Sequence, residues 1–163
     1  LLITPHFKMG GGQRVAINLL NNLNKNNFNI DVFVINNNGK LIDQISNKNI
    51  NIIVSKYNKA SKSLYQIKKI IDKNSYDLIF TFKSYLGIVT WLARFLSKKK
   101  PSIIYREVVH KSSNSSSQTF TSFIRKKLYI YLNKIMYNNV DKIIAPSEGI
   151  KYDLIENYSI KII

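Results

Sequence analysis

The 163-residue chain contains no cysteine. Disulfide scaffolds, thiolate zinc sites and cysteine nucleophiles are therefore excluded, and a reducing compartment fits this composition. The two histidines have no acidic residues nearby at the spacing of metal ligands, so no metal site is predicted. The longest apolar run, residues 85–96, contains Arg94 and is shorter than the about 20 residues that a membrane-spanning helix needs. No segment is predicted to cross a bilayer.

Acidic residues are scarce: nine Asp and Glu stand against 25 Lys and Arg, which gives a formal net charge of +16. Such a charge is typical of proteins that bind nucleic acid or an anionic membrane. Lys, Asn and Ile also dominate the chain together, as AT-rich codon usage would produce, so a compositional origin stays open. The hydrophobic fraction of 45% predicts a buried core, and the length suits a single domain, residues 1–163.

Strands and helices alternate in the predicted order of elements. Strands are predicted at 1–4, 29–36, 49–55, 76–82, 102–108, 141–145 and 160–163, helices at 13–24, 59–73, 84–96, 119–138 and 147–157, and a polar loop at 111–118. The predicted fold class is α/β, a doubly wound, mostly parallel Rossmann-like sheet with helices on both faces. Ligands of such sheets bind beyond the carboxyl ends of the strands, where the strand order reverses. The segments to consider are 5–13, 82–84, 106–113 and 146–148.

The first helix is preceded by three consecutive glycines, Gly10, Gly11 and Gly12. Without side chains the backbone can approach a ligand closely, and free N–H groups at a helix start favour a phosphate or another anionic oxygen. The alternative is a tight turn that needs positive φ angles. A dinucleotide fingerprint would need glycine at Val15, and a P-loop would close on Gly-Lys-Ser/Thr, so neither NAD nor Walker-type ATP binding is supported.

The predicted fifth strand ends in a charged segment. Arg106 and Glu107 stand at this end and His110 follows, so the three are candidate catalytic residues that could orient a sugar hydroxyl or balance a developing charge. The alternative is a structural ion pair with a surface histidine.

Two further segments also follow predicted strands. His6 comes after the first strand and is either a functional group or a surface side chain. Ser147 is a suitable N-cap for the last helix, which alone would explain its type, and Glu148 is a candidate for a role in a cleft.

The predicted helix at 119–138 combines cations with aromatic rings. Among its residues are Arg125, Lys126, Lys127, Lys134, Phe120, Phe123, Tyr129, Tyr131 and Tyr137. This combination suits an anionic lipid interface, where rings lie among the headgroups and lysines extend toward them. The alternative is an amphipathic helix that covers the sheet, with its apolar face in the core and its charges in water.

Four motifs, taken in order, resemble the N-terminal half of a family-4 glycosyltransferase, a retaining enzyme of the GT-B fold. Residues 10–15, Gly-Gly-Gly-Gln-Arg-Val, are similar to the family's first-loop Gly-Gly-x-Glu-Arg-Val. Residues 76–79 resemble its fourth-strand opening, and residues 104–107 resemble the Arg-Glu variant of its next strand end. Residues 140–148 resemble the strand before the interdomain region, and order and spacing agree across essentially the whole chain.

The resemblance implies two Rossmann-like domains that face each other across a cleft, the N-terminal one holding the acceptor and the C-terminal one most of the nucleotide-sugar. No metal or resident cofactor is implied. Residues 106–107 would line the acceptor pocket. The residues expected beside the donor are Gly10, Gly11, Gly12 and Arg14.

The chain also departs from the family's pattern. Gln13 stands where the family usually has Glu, so a charged role at that position is lost. Many members have a histidine where Arg106 and Glu107 stand, whereas His110 comes three residues later. We expect the chain to lack the C-terminal donor domain with its paired glutamates, and therefore to be a domain that does not turn over by itself.

We therefore expect the acceptor-binding half of a retaining, nucleotide-sugar-dependent hexosyltransferase that acts in the synthesis of cell-surface glycan or lipid-linked saccharide. Its expected partners are a nucleotide-sugar donor, a glycan or lipid-linked saccharide acceptor, and an anionic membrane surface contacted through 120–138. The expected location is cytoplasmic, peripheral on the inner face of the cell membrane. The alternative is a non-catalytic basic Rossmann-like module that binds nucleic acid or another polyanion, which would explain the charge directly.

Overall fold

A computed structural model describes residues 1–24, 26–47, 49–108, 120–158 and 160. Three features predicted above lie outside these residues. They are the loop at 111–118, His110, and the strand at 160–163 apart from Ile160.

Within the described residues, strands and helices alternate as predicted. The strands are β1 (Leu2–Thr4), β2 (Asp31–Val34), β3 (Asn51–Val54), β4 (Leu78–Phe82), β5 (Ser102–Arg106) and β6 (Lys142–Ile144). The α-helices are α1 (Gly11–Asn22), α2 (Leu64–Lys73), α3 (Ser84–Leu96), α4 (Phe120–Asn139) and α5 (Glu148–Tyr158). Two short 3₁₀ helices, Lys40–Gln44 and Ala60–Ser63, precede β3 and α2.

The strands form one parallel sheet in the order β3-β2-β1-β4-β5-β6. In the register of β1, Ile3 lies beside Phe33 of β2 on one side and beside Thr81 of β4 on the other. From the centre of the sheet, β1, β2 and β3 follow one another toward one side, and β4, β5 and β6 follow one another toward the other side. The strand order therefore reverses between β1 and β4. This topology confirms the predicted doubly wound, Rossmann-like fold.

Helices pack on both faces of the sheet, as parallel strands rich in apolar residues require. On one face, α1 packs against β1 and β2 through Ile17 and Leu20. On the other face, α2 and α3 contribute Ile71 and Ala93 to the core. A third apolar cluster joins α3, α4 and α5 around Tyr105.

The helix predicted at 59–73 is a regular α-helix only from Leu64. Its first turn is a 3₁₀ helix, in which the Ser63 hydroxyl donates to the Lys59 carbonyl oxygen at 3.1 Å and lies 2.7 Å from the Ser55 hydroxyl. Serine side chains that bond to nearby backbone compete with regular helix. The contacts fasten the segment between β3 and α2 to the end of β3.

Asp141 of the motif at 140–148 joins three elements. Its carboxylate accepts the Ile103 N–H at 2.7 Å and also binds the guanidinium of Arg94. Burial alone would raise the pKa of Asp141, but the Ile103 N–H and Arg94 outweigh it and hold the pKa below its ordinary value. Asp141 thereby ties the start of β5 to the end of α3, which is a structural role.

Candidate functional site

The carboxyl ends of β1, β4 and β5 lie at one edge of the sheet, at the point where the strand order reverses. Both α1 and α3 begin here, directly after Gly10 and Lys83. Neither helix has a side chain that caps its first turn, so free N–H groups and two positive dipole ends face this edge. We call it the reversal edge.

Lys83 turns the chain from β4 directly into α3. Its φ is 62°, and it is the one non-glycine residue with positive φ in the part of the chain that the structure describes. Such a conformation is strained and is found most often at functional sites. The carbonyl oxygen of Lys83 accepts the N–H groups of Leu86 and Gly87 at 3.0 and 2.9 Å, which holds the turn in place.

The three glycines form the start of α1 rather than a separate loop. The helix begins at Gly11, two residues before the predicted start, and positive φ among the described glycines is found only at Gly39. The alternative of a positive-φ turn is therefore wrong. A Cβ on Gly12 would lie 3.5 Å from the Val108 side chain, whereas a Cβ on Gly11 would meet nothing within 4 Å. A Cβ at Gly12 would thus make an ordinary van der Waals contact, and Gly11 borders open space.

The two residues after the glycines point in different directions. Gln13 is buried, and its Oε1 lies 2.6 Å from where a Cβ on Gly10 would stand. Arg14 is exposed, and its N–H donates to the Gly10 carbonyl oxygen at 3.0 Å, closing the first helical turn. Arg14 is thus the charged side chain of this motif that a ligand outside α1 can reach.

Arg106 and Glu107, the predicted pair at the end of β5, point to opposite faces of the sheet. Arg106 pairs in register with Phe82, whose ring lies in the core on the α1 side. Glu107 is buried beside α4, where its carboxylate accepts the Val108 N–H at 2.9 Å and the Tyr137 hydroxyl. The structure therefore does not place Arg106 and Glu107 on one face. Their catalytic role stays a prediction, and His110 lies outside the described residues.

His6 lies at the reversal edge, next to Pro5. Its Nδ1 accepts the Lys8 N–H at 3.2 Å, so a neutral ring carries its proton on Nε2. Burial, followed by the positive charges of Lys83 and Lys8, lowers the pKa of His6 below its ordinary 6.5. A neutral imidazole that donates from Nε2 can bind a hydroxyl oxygen.

We expect His6 to titrate below 6.5 in the folded chain, measured by NMR, with His6→Gln identifying its signal among the two histidines. Because protonation is less favourable in the folded than in the unfolded chain, the free energy of unfolding falls as the pH drops below about 6.5. A midpoint at or above 6.5 would contradict the partial burial of His6 and the proximity of Lys83 and Lys8.

A cavity of about 350 Å³ opens at the reversal edge on the side of α3. Four segments surround it: the loop after β1, the end of β2, the segment before α2, and the first turns of α3. Its polar lining residues are His6, Asn36, Asn58, Lys59, Ser61 and Tyr85. Amide, hydroxyl, ammonium and imidazole groups around an aromatic ring suit a ligand with many hydroxyl groups and flat apolar patches. We call this cavity the edge cleft.

Only part of the edge cleft was predicted. His6 was a candidate, but Asn58, Lys59 and Tyr85 were not. The segment after β3 follows a strand like the segments that were considered, so the same rule would have found Asn58 and Lys59. Tyr85 lies in the first turn of α3, and burial, with Tyr129 nearby, raises its pKa above the ordinary value.

A second, larger cavity of about 730 Å³ lies at the opposite edge of the sheet. Its lining combines Leu2, Leu23 and Leu78 with polar side chains such as Asp31 and Asp77, and in this cavity, as in the edge cleft, more of the surface is apolar than polar. Ligands of doubly wound sheets bind at the carboxyl ends of the strands, which lie at the reversal edge and not at this cavity. We therefore assign the candidate site to the edge cleft despite its smaller volume.

The described residues offer neither a metal site nor a membrane-spanning helix. No group of three or more His, Asp or Glu side chains there could hold a metal ion. No helix there is long and apolar enough to cross a membrane.

The model of Glycosyltransferase Family 4 matches residues 9–162. The chain belongs to this family. The match agrees with the resemblance of the four motifs. The matched residues include the starts of α1 and α3 and the segment around Lys59 that lines the edge cleft. A comparison with curated proteins finds no match to this family-4 domain.

The last motif of the family-4 domain, residues 140–148, has its own structural explanation. The Ser147 hydroxyl accepts the Ile150 N–H at 3.3 Å and so caps α5, as its residue type indicates. The Glu148 side chain is 73% exposed and lies 3.4 Å from the Lys151 ammonium. A role for Glu148 in a cleft stays a prediction.

Proposed function

We propose that the chain is the acceptor-binding half of a retaining, nucleotide-sugar-dependent glycosyltransferase that acts in the synthesis of cell-surface glycan or lipid-linked saccharide. The observation that carries this proposal is the edge cleft, a cavity with polar side chains in its lining that lies beside the uncapped start of α3. The family supplies the reaction class, since its members transfer sugars.

The acceptor saccharide would bind in the edge cleft. Asn58 and Ser61 offer donors and acceptors for sugar hydroxyls, Lys59 offers an ammonium, and the Tyr85 ring offers a flat apolar surface. His6 would donate from Nε2 to an acceptor hydroxyl oxygen, since its lowered pKa keeps the ring neutral. The cavity of about 350 Å³ has room for one or two sugar rings.

The donor would approach the reversal edge from outside α1. Its diphosphate would meet the free N–H groups of Gly11 and Gly12, with Arg14 beside them and Lys83 at the start of α3. In the reaction, an acceptor hydroxyl oxygen would bond to the anomeric carbon as the bond between that carbon and the phosphate oxygen breaks, and the hydroxyl proton would pass to the leaving phosphate oxygen. Negative charge then grows on the diphosphate, which the helix starts and the basic side chains would stabilise.

The cleft proposal predicts that Tyr85→Ala and Lys59→Ala each weaken saccharide binding at least about fivefold, because each removes one contact worth about 1 kcal/mol. The measurement is ligand-detected NMR of the 163-residue chain with a panel of hexose, hexosamine and uronic acid oligosaccharides. Tyr65→Ala and Lys69→Ala are matched controls, since both side chains are exposed on α2 and outside the cleft.

Equal losses in the cleft and control variants would contradict this assignment, as would a chain that binds none of the panel. In the second case, tight and salt-sensitive binding of duplex DNA at physiological salt would favour the polyanion module instead.

The polyanion alternative needs one continuous basic face. In the described residues, basic side chains lie at both ends of the sheet: Lys59 stands at the carboxyl end, whereas Lys98, Lys99 and Lys100 precede β5 at the amino end. This distribution does not favour a single nucleic-acid surface.

We further propose a peripheral position at the inner face of the cell membrane, where lipid-linked acceptors lie.

A further inference from the structure

A lysine-rich segment between β3 and α2 forms one border of the edge cleft. Lys56, Lys59 and Lys62 follow one another at spacings of three residues, and all three side chains are exposed. Lys59 lines the cleft itself. The Lys62 N–H donates to the Lys59 carbonyl oxygen at 3.2 Å, so these two residues lie one tight turn apart and their side chains are neighbours.

The backbone of this segment is fixed to the elements on either side. The Lys56 N–H donates to the Gln66 side-chain oxygen of α2 at 3.0 Å, and the Tyr57 N–H donates to the Ser55 hydroxyl at 3.0 Å. The bonds of Ser63 described above hold the other end. The lysines therefore stand on an ordered backbone, and a ligand has only their side chains to order when it binds.

Two further lysines stand on the other side of the cleft, around His6. After burial, the positive charges of Lys83 and Lys8 are the largest causes of the lowered pKa of His6, so both ammonium groups act on the imidazole that lines the cleft. We use the name basic rim for the five lysines on the two sides, which are Lys8, Lys56, Lys59, Lys62 and Lys83.

Acidic groups do not compensate the basic rim. The described residues that line the cleft include no Asp or Glu, and residues 44–71 contain none. The ion pairs among the described residues join Lys68 to Asp72, Arg94 to Asp141 and Lys151 to Glu148, all outside the rim. Like charges gathered around a cavity attract a ligand of the opposite charge.

We propose that the edge cleft selects an acceptor saccharide that carries an anionic group, a carboxylate or a phosphate ester. The sugar ring lies in the cavity against Tyr85, and Lys56, Lys59 and Lys62 bind the anionic group at its border. The inference rests on the proposed function, because it takes the cleft to be the acceptor site. It adds the chemical class of the acceptor.

An anionic saccharide uses both parts of this site. Its hydroxyl groups match Asn58 and Ser61, which line the cavity, and its charge matches the basic rim. A free anion would leave the cavity of about 350 Å³ unfilled, and a nucleic-acid duplex would contact the rim without entering the cavity. A neutral saccharide would fill the cavity and leave the rim uncompensated.

The test compares each uronic acid oligosaccharide of the panel above, such as trigalacturonic acid, with its carboxyl methyl ester, which keeps the shape and removes the charge. NMR titration of the 163-residue chain should show at least about fivefold tighter binding of the acid at low ionic strength. The preference should shrink to less than about twofold in about 0.5 M NaCl. Glucose 6-phosphate, compared with glucose and with inorganic phosphate, tests a phosphate ester in the same way.

A pair of double variants tests the position of the charge. Lys56→Gln/Lys62→Gln should weaken binding of the acid at least about fivefold and leave binding of the ester within about twofold, because neither residue lines the cavity. Lys56→Arg/Lys62→Arg should keep the preference. The matched control is Lys69→Gln/Lys73→Gln, which removes the same net charge from exposed positions on α2 outside the cleft and should keep the preference as well.

His6 supplies a second readout. Binding of the acid should raise the pKa of His6, since a negative charge nearby opposes the effect of Lys8 and Lys83, and binding of the ester should not raise it.

Four results would overturn the inference. The ester or glucose binds as tightly as its anionic counterpart, both glutamine double variants lose the preference equally, inorganic phosphate binds as tightly as glucose 6-phosphate, or duplex DNA displaces the acid at lower concentration than unlabelled acid does. In the first of these, saccharide binding persists and the proposed function stands. A chain that binds no saccharide of the panel would remove the proposed function together with this inference.

Discussion

Gly39→Ala should lower the free energy of unfolding by about 3 kcal/mol or more, as measured by urea denaturation. Gly39 has a φ of 114°, which side-chain-bearing residues rarely adopt. A Cβ there would lie 2.1 Å from the carbonyl carbon of Phe7 and from the nitrogen of Lys8. Both atoms are backbone and cannot rotate away. The Phe7 N–H also donates to Asn38 at 2.8 Å and its oxygen accepts from Leu41 at 3.1 Å.

The matched control for this prediction is Gly11→Ala. Gly11 stands in the first turn of α1, and its Cβ would meet nothing within 4 Å. Alanine is favoured over glycine in a helix, so this variant should be neutral or slightly more stable. If Gly39→Ala unfolds at the same urea concentration as the unchanged chain, the packing of the loop before Leu41 against Phe7 is not as described.

The second prediction with a large expected effect concerns the hydrogen bond that the Tyr137 hydroxyl donates to the Glu107 carboxylate. Tyr137→Phe and Glu107→Gln should each lower the free energy of unfolding by about 2 kcal/mol, because a buried hydrogen bond to a charged group is lost or weakened. Burial, with Tyr105 and Glu107 nearby, raises the pKa of Tyr137 above its ordinary value, so its hydroxyl stays protonated and donates. The double variant should lose clearly less than the sum of the two single variants.

Glu148→Gln is the control for this cycle, since the Glu148 side chain is 73% exposed and its loss should cost less than about 0.5 kcal/mol. Additive losses, or no loss at Glu107, would show that the Glu107–Tyr137 contact does not stabilise the fold.

Much of the fold could be predicted from local patterns. α3 has the predicted bounds, Ser84–Leu96, since a strand and a polar end flank an uninterrupted apolar helix. The start of α1 was placed too late, because glycine is a poor helix former. Gly11 and Gly12 are nevertheless helical, and the first turn is closed by the Arg14 N–H, which donates to the Gly10 carbonyl oxygen.

The candidate site was predicted less completely. The predicted strand order indicates that the site lies at the carboxyl ends of the strands. It does not indicate the direction in which each side chain points. Glu107 points toward Tyr137, 30 residues later, which no local pattern indicates. Tyr85 and Lys59 come together only because α3 and the segment after β3 pack against each other on one face of the sheet. The composition of α4 left a membrane surface and a helix that covers the sheet as alternatives, and only the structure shows that Met136 and Tyr137 are buried against the domain.

The open space at Gly11 has a practical consequence. Because the chain has no cysteine, Gly11→Cys would introduce a unique thiol at the reversal edge, where its side chain meets no neighbour. A fluorophore or spin label attached there would sit at the helix start without disturbing the core. Its signal would report directly on the arrival of a diphosphate, a saccharide or a facing domain, and it would distinguish these events by their effect on the label's motion.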